Sequence, residues 1–109
     1  MKVLALFIIL LNAGSLLADP AAKQEILSLI DTGNQMMALR NNAKMGRCII
    51  MMRSGQKRLK AVAPKAKELY SATPALMIIM SSLKPCLTCN PSIADFHCNE
   101  LNKYKGELK

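Results

Sequence analysis

The residues best suited to chemistry in this sequence are its four cysteines, Cys48, Cys86, Cys89 and Cys98. Cys86 and Cys89 form a C-x-x-C motif, which supports thiol redox catalysis when it lies between a strand and a helix. The surrounding sequence has no strand–helix–strand pattern. An even number of cysteines in a small domain is typical of structural bridges when the domain is exported, which the N-terminal segment described below predicts. We therefore predict two disulfides and no redox activity.

The pairing of these cysteines is constrained by their spacing. Cys48 lies far from the other three, so one bridge must join the middle of the chain to its C-terminal region. We favour Cys48 paired with Cys89 or Cys86, with Cys98 taking the other. A Cys86–Cys89 bridge is the alternative, and it would close a very short loop.

Metal binding and acid–base catalysis are the other chemistries that these residue types could support. Cys86, Cys89, His97 and Cys98 could be zinc ligands, but structural sites usually space their ligand pairs further apart, and neighbours on a helix point in different directions. The only histidine has no catalytic signature around it, and the seven carboxylates are scattered. We therefore predict no metal site, no cofactor and no enzymatic activity.

The N-terminal segment is typical of a secretory signal peptide. Lys2 is followed by an apolar run over residues 3–11, and Ala18 offers a small residue for cleavage. This run is shorter than the ~20 apolar residues of a membrane-spanning helix. We predict a signal peptide over residues 1–18 and one secreted, extracellular domain over residues 19–109 that is not an integral membrane protein.

The elements that must position these residues are predicted to be helices. Aromatic residues are few, and apolar residues recur at three- and four-residue steps. We predict an all-α fold, a small bundle of four to five helices stapled by the two disulfides. A first helix is expected from Asp19–Pro20 to Gly33, a second over residues 34–63 that Pro64 ends or kinks, and a short piece over residues 65–70.

Two further helices complete the expected bundle. Thr73 is expected to cap, and Pro74 to open, a helix over residues 75–83. This segment is apolar nearly all round, so it is predicted to be buried at the centre of the fold. Asn90–Pro91 or Ser92 opens the last helix, whose inward-facing residues are predicted to be Ile93, Phe96, His97, Leu101 and Tyr104.

Positive charge is concentrated in the middle of the chain. The formal net charge is +8, and no aspartate or glutamate lies between Arg40 and Lys67. We predict that an acidic partner binds basic residues sharing one helical face, namely Arg40, Lys44, Arg47 and Arg58. Nucleic acid is not expected as a partner of an exported chain. The alternative interpretation is that these charges only keep a secreted protein soluble.

Our leading hypothesis is a secreted, non-enzymatic cationic effector that binds an acidic receptor, channel or anionic cell surface. The chain is similar in general style, though not in any motif, to the small two-disulfide helical proteins of venoms, seminal fluids and saliva. That similarity implies an effector of venom-, seminal-fluid- or hormone-like type.

Two alternatives follow from the methionines and from the basic helix. The chain has eight methionines, and a flexible thioether suits either gap filling in a core or contact with varied apolar ligands. A carrier would hold a small apolar ligand in a cavity lined by Met36, Met52, Met77, Ile78 and Met80. A membrane-active host-defence protein would instead lay its cationic amphipathic helix on an anionic bilayer.

Overall fold

The computed structural model describes residues 19–108, so the signal peptide predicted for residues 1–18 lies outside the described residues. The predicted all-α bundle of four to five helices with two disulfides is confirmed, and this part of the chain contains no β-strand. Its elements are the helices α1 (Pro20–Asn41), α2 (Met45–Glu68), α3 (Ala75–Cys86) and α4 (Pro91–Tyr104), and a final 3-10 turn (Lys105–Leu108).

Helix α1 starts where the sequence predicts and ends later. The Asp19 side chain accepts a hydrogen bond from the Ala22 amide at 3.1 Å, and Pro20 occupies the first turn. The predicted stop at Gly33 is wrong. The buried face continues through Gly33 and Met36 to Arg40, so packing outweighs the ~1 kcal/mol that a glycine costs inside a helix. The chain turns instead at Ala43, whose φ is 57°.

Helix α2 continues through three residues that weaken helices, Gly46, Gly55 and Pro64. Its expected end at residue 63 is wrong, because the helix runs on to Glu68. Proline removes the hydrogen bond that its amide would donate to the Lys60 carbonyl. Burial of Ala66 and Leu69 beyond the proline stabilises the last turn against that loss.

Helix α3 is buried on one side only, which corrects the expectation that it is buried all round. Leu76, Ile79 and Leu83 are fully buried, whereas Met77 is 55% and Ile78 43% exposed. The helix packs mainly along α4 and less extensively against α2, which leaves its remaining side in solvent. The predicted Thr73 cap is wrong, because Pro74 stands at the cap position and no side chain bonds to the first turn. The helix runs from Ala75 to Cys86, past the predicted end at residue 83.

Helix α4 opens as predicted, with Asn90 as its cap and Pro91 in its first turn. Its buried face consists of Ala94, Cys98 and Leu101, which recur at steps of four and three residues. Ile93 and Phe96 lie away from this face and are 48% and 63% exposed, so their predicted inward orientation is wrong.

The two disulfides join α2, α3 and α4. Cys48 in α2 pairs with Cys89 in the α3–α4 connection, and Cys86 at the end of α3 pairs with Cys98 in α4. This is one of the two favoured pairings. The bridges close loops of 41 and 12 residues. In the chain-entropy model, each loop closure raises the free energy of unfolding, by about 4 and about 3 kcal/mol respectively.

Gly33 lies where α1 passes over the Cys86–Cys98 bridge. A Cβ atom placed on Gly33 would lie 2.5 Å from the Cys86 sulfur, closer than unbonded atoms can approach. That sulfur is held by its bridge and cannot rotate away. Glycine is therefore required at position 33 because any side chain would clash with the Cys86 sulfur, and not because the backbone adopts an unusual angle.

We expect Gly33→Ala to destabilise the fold by about 1–3 kcal/mol through overpacking, although alanine favours helices. Gly46→Ala is the matched control, since no atom lies within 4 Å of its added Cβ, and it should leave stability unchanged or slightly raised. Urea unfolding followed by circular dichroism measures both. Equal or greater stability of Gly33→Ala would contradict the contact argument.

Candidate functional site

Helix α2 has one buried face and one face that no other helix covers. The buried stripe consists of Cys48, Gly55, Leu59, Val62 and Ala66. Gly55 allows the Leu87 side chain to approach, because a Cβ there would lie 3.3 Å from its Cδ2 atom. The opposite side of α2 is therefore an extended helical surface that is open to a partner.

Four cations lie along that exposed side, and we call them the cationic ridge: Arg53, Lys57, Lys60 and Lys67. At about 100° of rotation per residue they fall within about 80° of one another, opposite the buried stripe. They extend over about 21 Å of helix at a rise of about 1.5 Å per residue. All four are exposed.

The cationic ridge is not neutralised within the described part of the chain. The ion pairs there are Arg40–Asp95, Arg58–Glu25, Lys65–Asp19 and Lys103–Glu100, and none includes a ridge residue. Arg53 and Lys57 are four residues apart and Lys57 and Lys60 three, spacings at which like charges repel by about 0.2–0.5 kcal/mol per pair. The free protein therefore carries a repulsion that an acidic partner would relieve.

The four predicted binding residues do not share one exposed face, which corrects the sequence analysis. The helix that was expected to carry all of them is interrupted at residues 42–44. Arg40 belongs to α1 and points into the protein, whereas Lys44 and Arg47 lie exposed at the start of α2. Arg58 lies on the flank of α2, where it pairs with Glu25 and donates to the Ser28 hydroxyl at 2.7 Å.

Arg40 is a structural residue. Its side chain is 0% exposed and bonds to Asp95 of α4 at 2.7 Å and to the Thr88 carbonyl oxygen at 2.7 Å. It thus fastens the end of α1 to the α3–α4 connection, beside the disulfides. The sequence offered no signal of this, because its acidic partner lies 55 residues away.

Exposed apolar side chains adjoin the cations at the start of α2. Ile50 is 69% exposed, and Met45 and Ile49 are 41% and 38% exposed. Lys44 and Arg47 lie in the same two turns. They add positive charge at the helix end that the backbone dipole already makes positive. This end of α2 therefore presents positive charge and exposed apolar surface side by side.

The residues predicted to line a ligand cavity do not converge. Met36 is fully buried in the core and Met52 is packed against it, while Ile78 lies on the exposed side of α3. Met77 and Met80 instead line a groove of about 620 Å³ between α2 and α3. The groove is open at the surface, and two of its lining residues, Leu59 and Met80, lie at the edge of the packed core.

Two further findings concern chemistry and membranes. Both cysteines of the C-x-x-C motif are bridged, to different partners. Residues 19–108 hold no cluster of three or more histidine, cysteine or acidic side chains arranged to bind a metal. In the same range, no helix combines the length and the apolarity needed to cross a bilayer.

No family model, curated protein or solved structure matches the chain. The function of the α2 surface is therefore inferred from the charge, exposure and contacts of its own residues.

We expect Arg40→Met to destabilise the fold by about 2–3 kcal/mol, because it leaves Asp95 and the Thr88 carbonyl without their charged donor. Arg47→Met removes an exposed cation of the same type that has no ion-pair partner among the described residues, and it should leave stability unchanged. Thermal and urea unfolding compare the two. A similar small effect of both substitutions would show that the Arg40 contacts contribute little.

Proposed function

We propose that this chain is a secreted, non-enzymatic cationic effector that acts by binding an acidic receptor or anionic cell surface through the cationic ridge. The observation that carries the proposal is the row of exposed cations with no acidic partner in the described chain. Solubility alone would be served equally well by cations spread over all helices.

Two features support this proposal, the sign of the charge along the ridge and the covalent restraint on α2. A one-signed row of charge attracts an acidic surface before contact and raises the association rate. The Cys48–Cys89 bridge ties α2 to the α3–α4 connection, so the backbone that carries the ridge loses little conformational entropy on binding.

The proposal predicts that Arg53→Gln/Lys57→Gln loses affinity for acidic probes. Each cation near an anionic surface contributes about 1 kcal/mol, so binding to phosphatidylserine-containing vesicles should weaken roughly thirtyfold. Binding to immobilised heparin, a sulfated polysaccharide, should also weaken, and for the unaltered protein both interactions should fall steeply between low and physiological salt.

The control for this test is Lys103→Gln/Lys105→Gln, which removes the same formal charge outside α2. It should keep nearly full binding. If both double variants lose affinity equally, net charge and not the ridge is responsible. If the unaltered protein binds neither probe at low salt, the proposal is wrong.

A membrane-active, host-defence role is the second candidate function. The observation that favours it is the exposed Ile50 and Ile49 beside Lys44 and Arg47. Apolar side chains next to cations can enter the boundary between lipid headgroups and acyl chains. Binding to an acidic protein or glycan would not require these apolar side chains.

If the second function holds, Ile50→Ser should weaken binding to anionic vesicles by about tenfold and reduce their leakage, because the side chain no longer enters lipid. Heparin binding should be unchanged. Ile93→Ser, which alters an exposed isoleucine of α4, should change neither. Vesicle binding that is insensitive to Ile50→Ser would contradict the membrane-active role and would leave an electrostatic contact through the cationic ridge.

A further inference from the structure

The groove between α2 and α3 has a regular construction. From α2 it is lined by Gln56, Leu59, Lys60 and Ala63, and from α3 by Met77, Met80, Ser81 and Lys84. Both sets follow the spacing i, i+3, i+4, i+7, so each presents one face over two helical turns. Tyr70, which follows α2, completes the lining. The result is an elongated trough that runs along both helices.

The two ends of this trough differ in polarity. The Gln56 amide donates to the Lys84 carbonyl oxygen at 3.0 Å and to the Leu87 carbonyl oxygen at 2.7 Å, which places the end of α3 beside the middle of α2. Because a short connection links α2 to α3, the helices run antiparallel. The Lys84 ammonium group therefore belongs to one end, and Ala63, Tyr70 and Met77 to the other.

The positive charges at the trough have no ion-pair partner within residues 19–108. Neither Lys84 nor Lys60 takes part in an ion pair there, and both are exposed. The walls between them are apolar, formed by Leu59, Met77 and Met80. Met77 remains 55% exposed, so apolar wall is left open to water.

We propose that the α2–α3 groove binds a single-chain amphiphile with an anionic headgroup, such as a fatty acid or an alkyl phosphate. The headgroup lies at the Lys84 end, within reach of Lys60, and the alkyl chain lies along Leu59, Met80 and Met77 towards Tyr70. A volume of about 620 Å³ falls within the about 300–1,000 Å³ typical of small-molecule sites. Flexible methionine side chains suit a ligand whose chain length varies.

This site goes beyond the proposed function and can be tested separately from it. The two share Lys60 only, so the variants below leave Lys60 unchanged. They also leave Arg53 and Lys57 in place, and heparin binding by each variant therefore reports whether the cationic ridge is intact.

The experiment titrates the oxidised protein with dodecanoate and dodecyl phosphate below their micellar concentrations and with dodecanol below its solubility limit, by calorimetry and by methionine-methyl NMR. We expect saturable binding of one equivalent of either anion. The methyl signals of Met77 and Met80 should shift, and that of the buried Met36 should not. Dodecanol should bind more weakly. The preference between dodecanoate and dodecyl phosphate identifies the headgroup, and either preference supports the proposal.

Two pairs of variants localise the site. Lys84→Gln should weaken dodecanoate binding about two- to fivefold, as expected for an exposed ion pair. Lys105→Gln, at a lysine outside both the groove lining and the cationic ridge, should not. Met77→Glu places a carboxylate in the apolar wall and should weaken binding at least about tenfold. Ile78→Glu, at the neighbouring exposed residue outside the lining, should leave binding unchanged.

Three results would overturn the proposal. The first is no saturable binding of either anion by the unaltered protein. The second is an equal loss in Met77→Glu and Ile78→Glu, which would indicate nonspecific adsorption. The third is dodecanol binding as tightly as dodecanoate with no effect of Lys84→Gln, which would remove the role of the anionic headgroup.

Discussion

The Cys86–Cys98 bridge fixes the point at which three helices meet. It joins the end of α3 to the middle of α4, and α1 crosses directly over its sulfur atoms at Gly33. Cys89, which lies three residues after Cys86, forms a disulfide with Cys48 and so links α2 to the same region. Arg40 closes the same region by bonding to the α3–α4 connection and to α4. The packing of all four helices thus depends on one short segment around the C-x-x-C motif.

This arrangement also determines which charges remain free. Glu25 of α1 pairs with Arg58, and Asp19, which precedes α1, pairs with Lys65; both cations lie on the flank of α2. Asp95 forms an ion pair with the buried Arg40 side chain. With these carboxylates engaged, the far side of α2 keeps an uncompensated row of cations. A positive surface is therefore a product of the packing as well as of the composition.

The sequence predicted most features that depend on local signals, although the Thr73 cap is absent, and missed those that depend on distant contacts. The caps at Asp19 and Asn90, the helical class and a favoured disulfide pairing follow from residue type and spacing. The continuation of α1 through Gly33 could not be predicted, because the reason for that glycine is a sulfur 53 residues away in sequence, at Cys86. Arg40 was assigned to the surface because its partner Asp95 is equally remote. The sequence located the basic stretch that contains the cationic site. The structure was needed to separate the cationic ridge from Arg40 and Arg58, which are engaged in ion pairs.

The connectivity of the bridges determines which helices stay covalently attached after the backbone is cut. A backbone cut between Cys48 and Cys86, for example after Lys57, leaves two fragments that remain joined through Cys48–Cys89. A cut between Cys89 and Cys98 leaves them joined through Cys86–Cys98. A cut after the exposed Lys44 is different, because no bridge reaches α1. A protease acting there would convert α1 into a separate peptide, which only noncovalent packing and polar contacts such as those of Arg40 would hold in place.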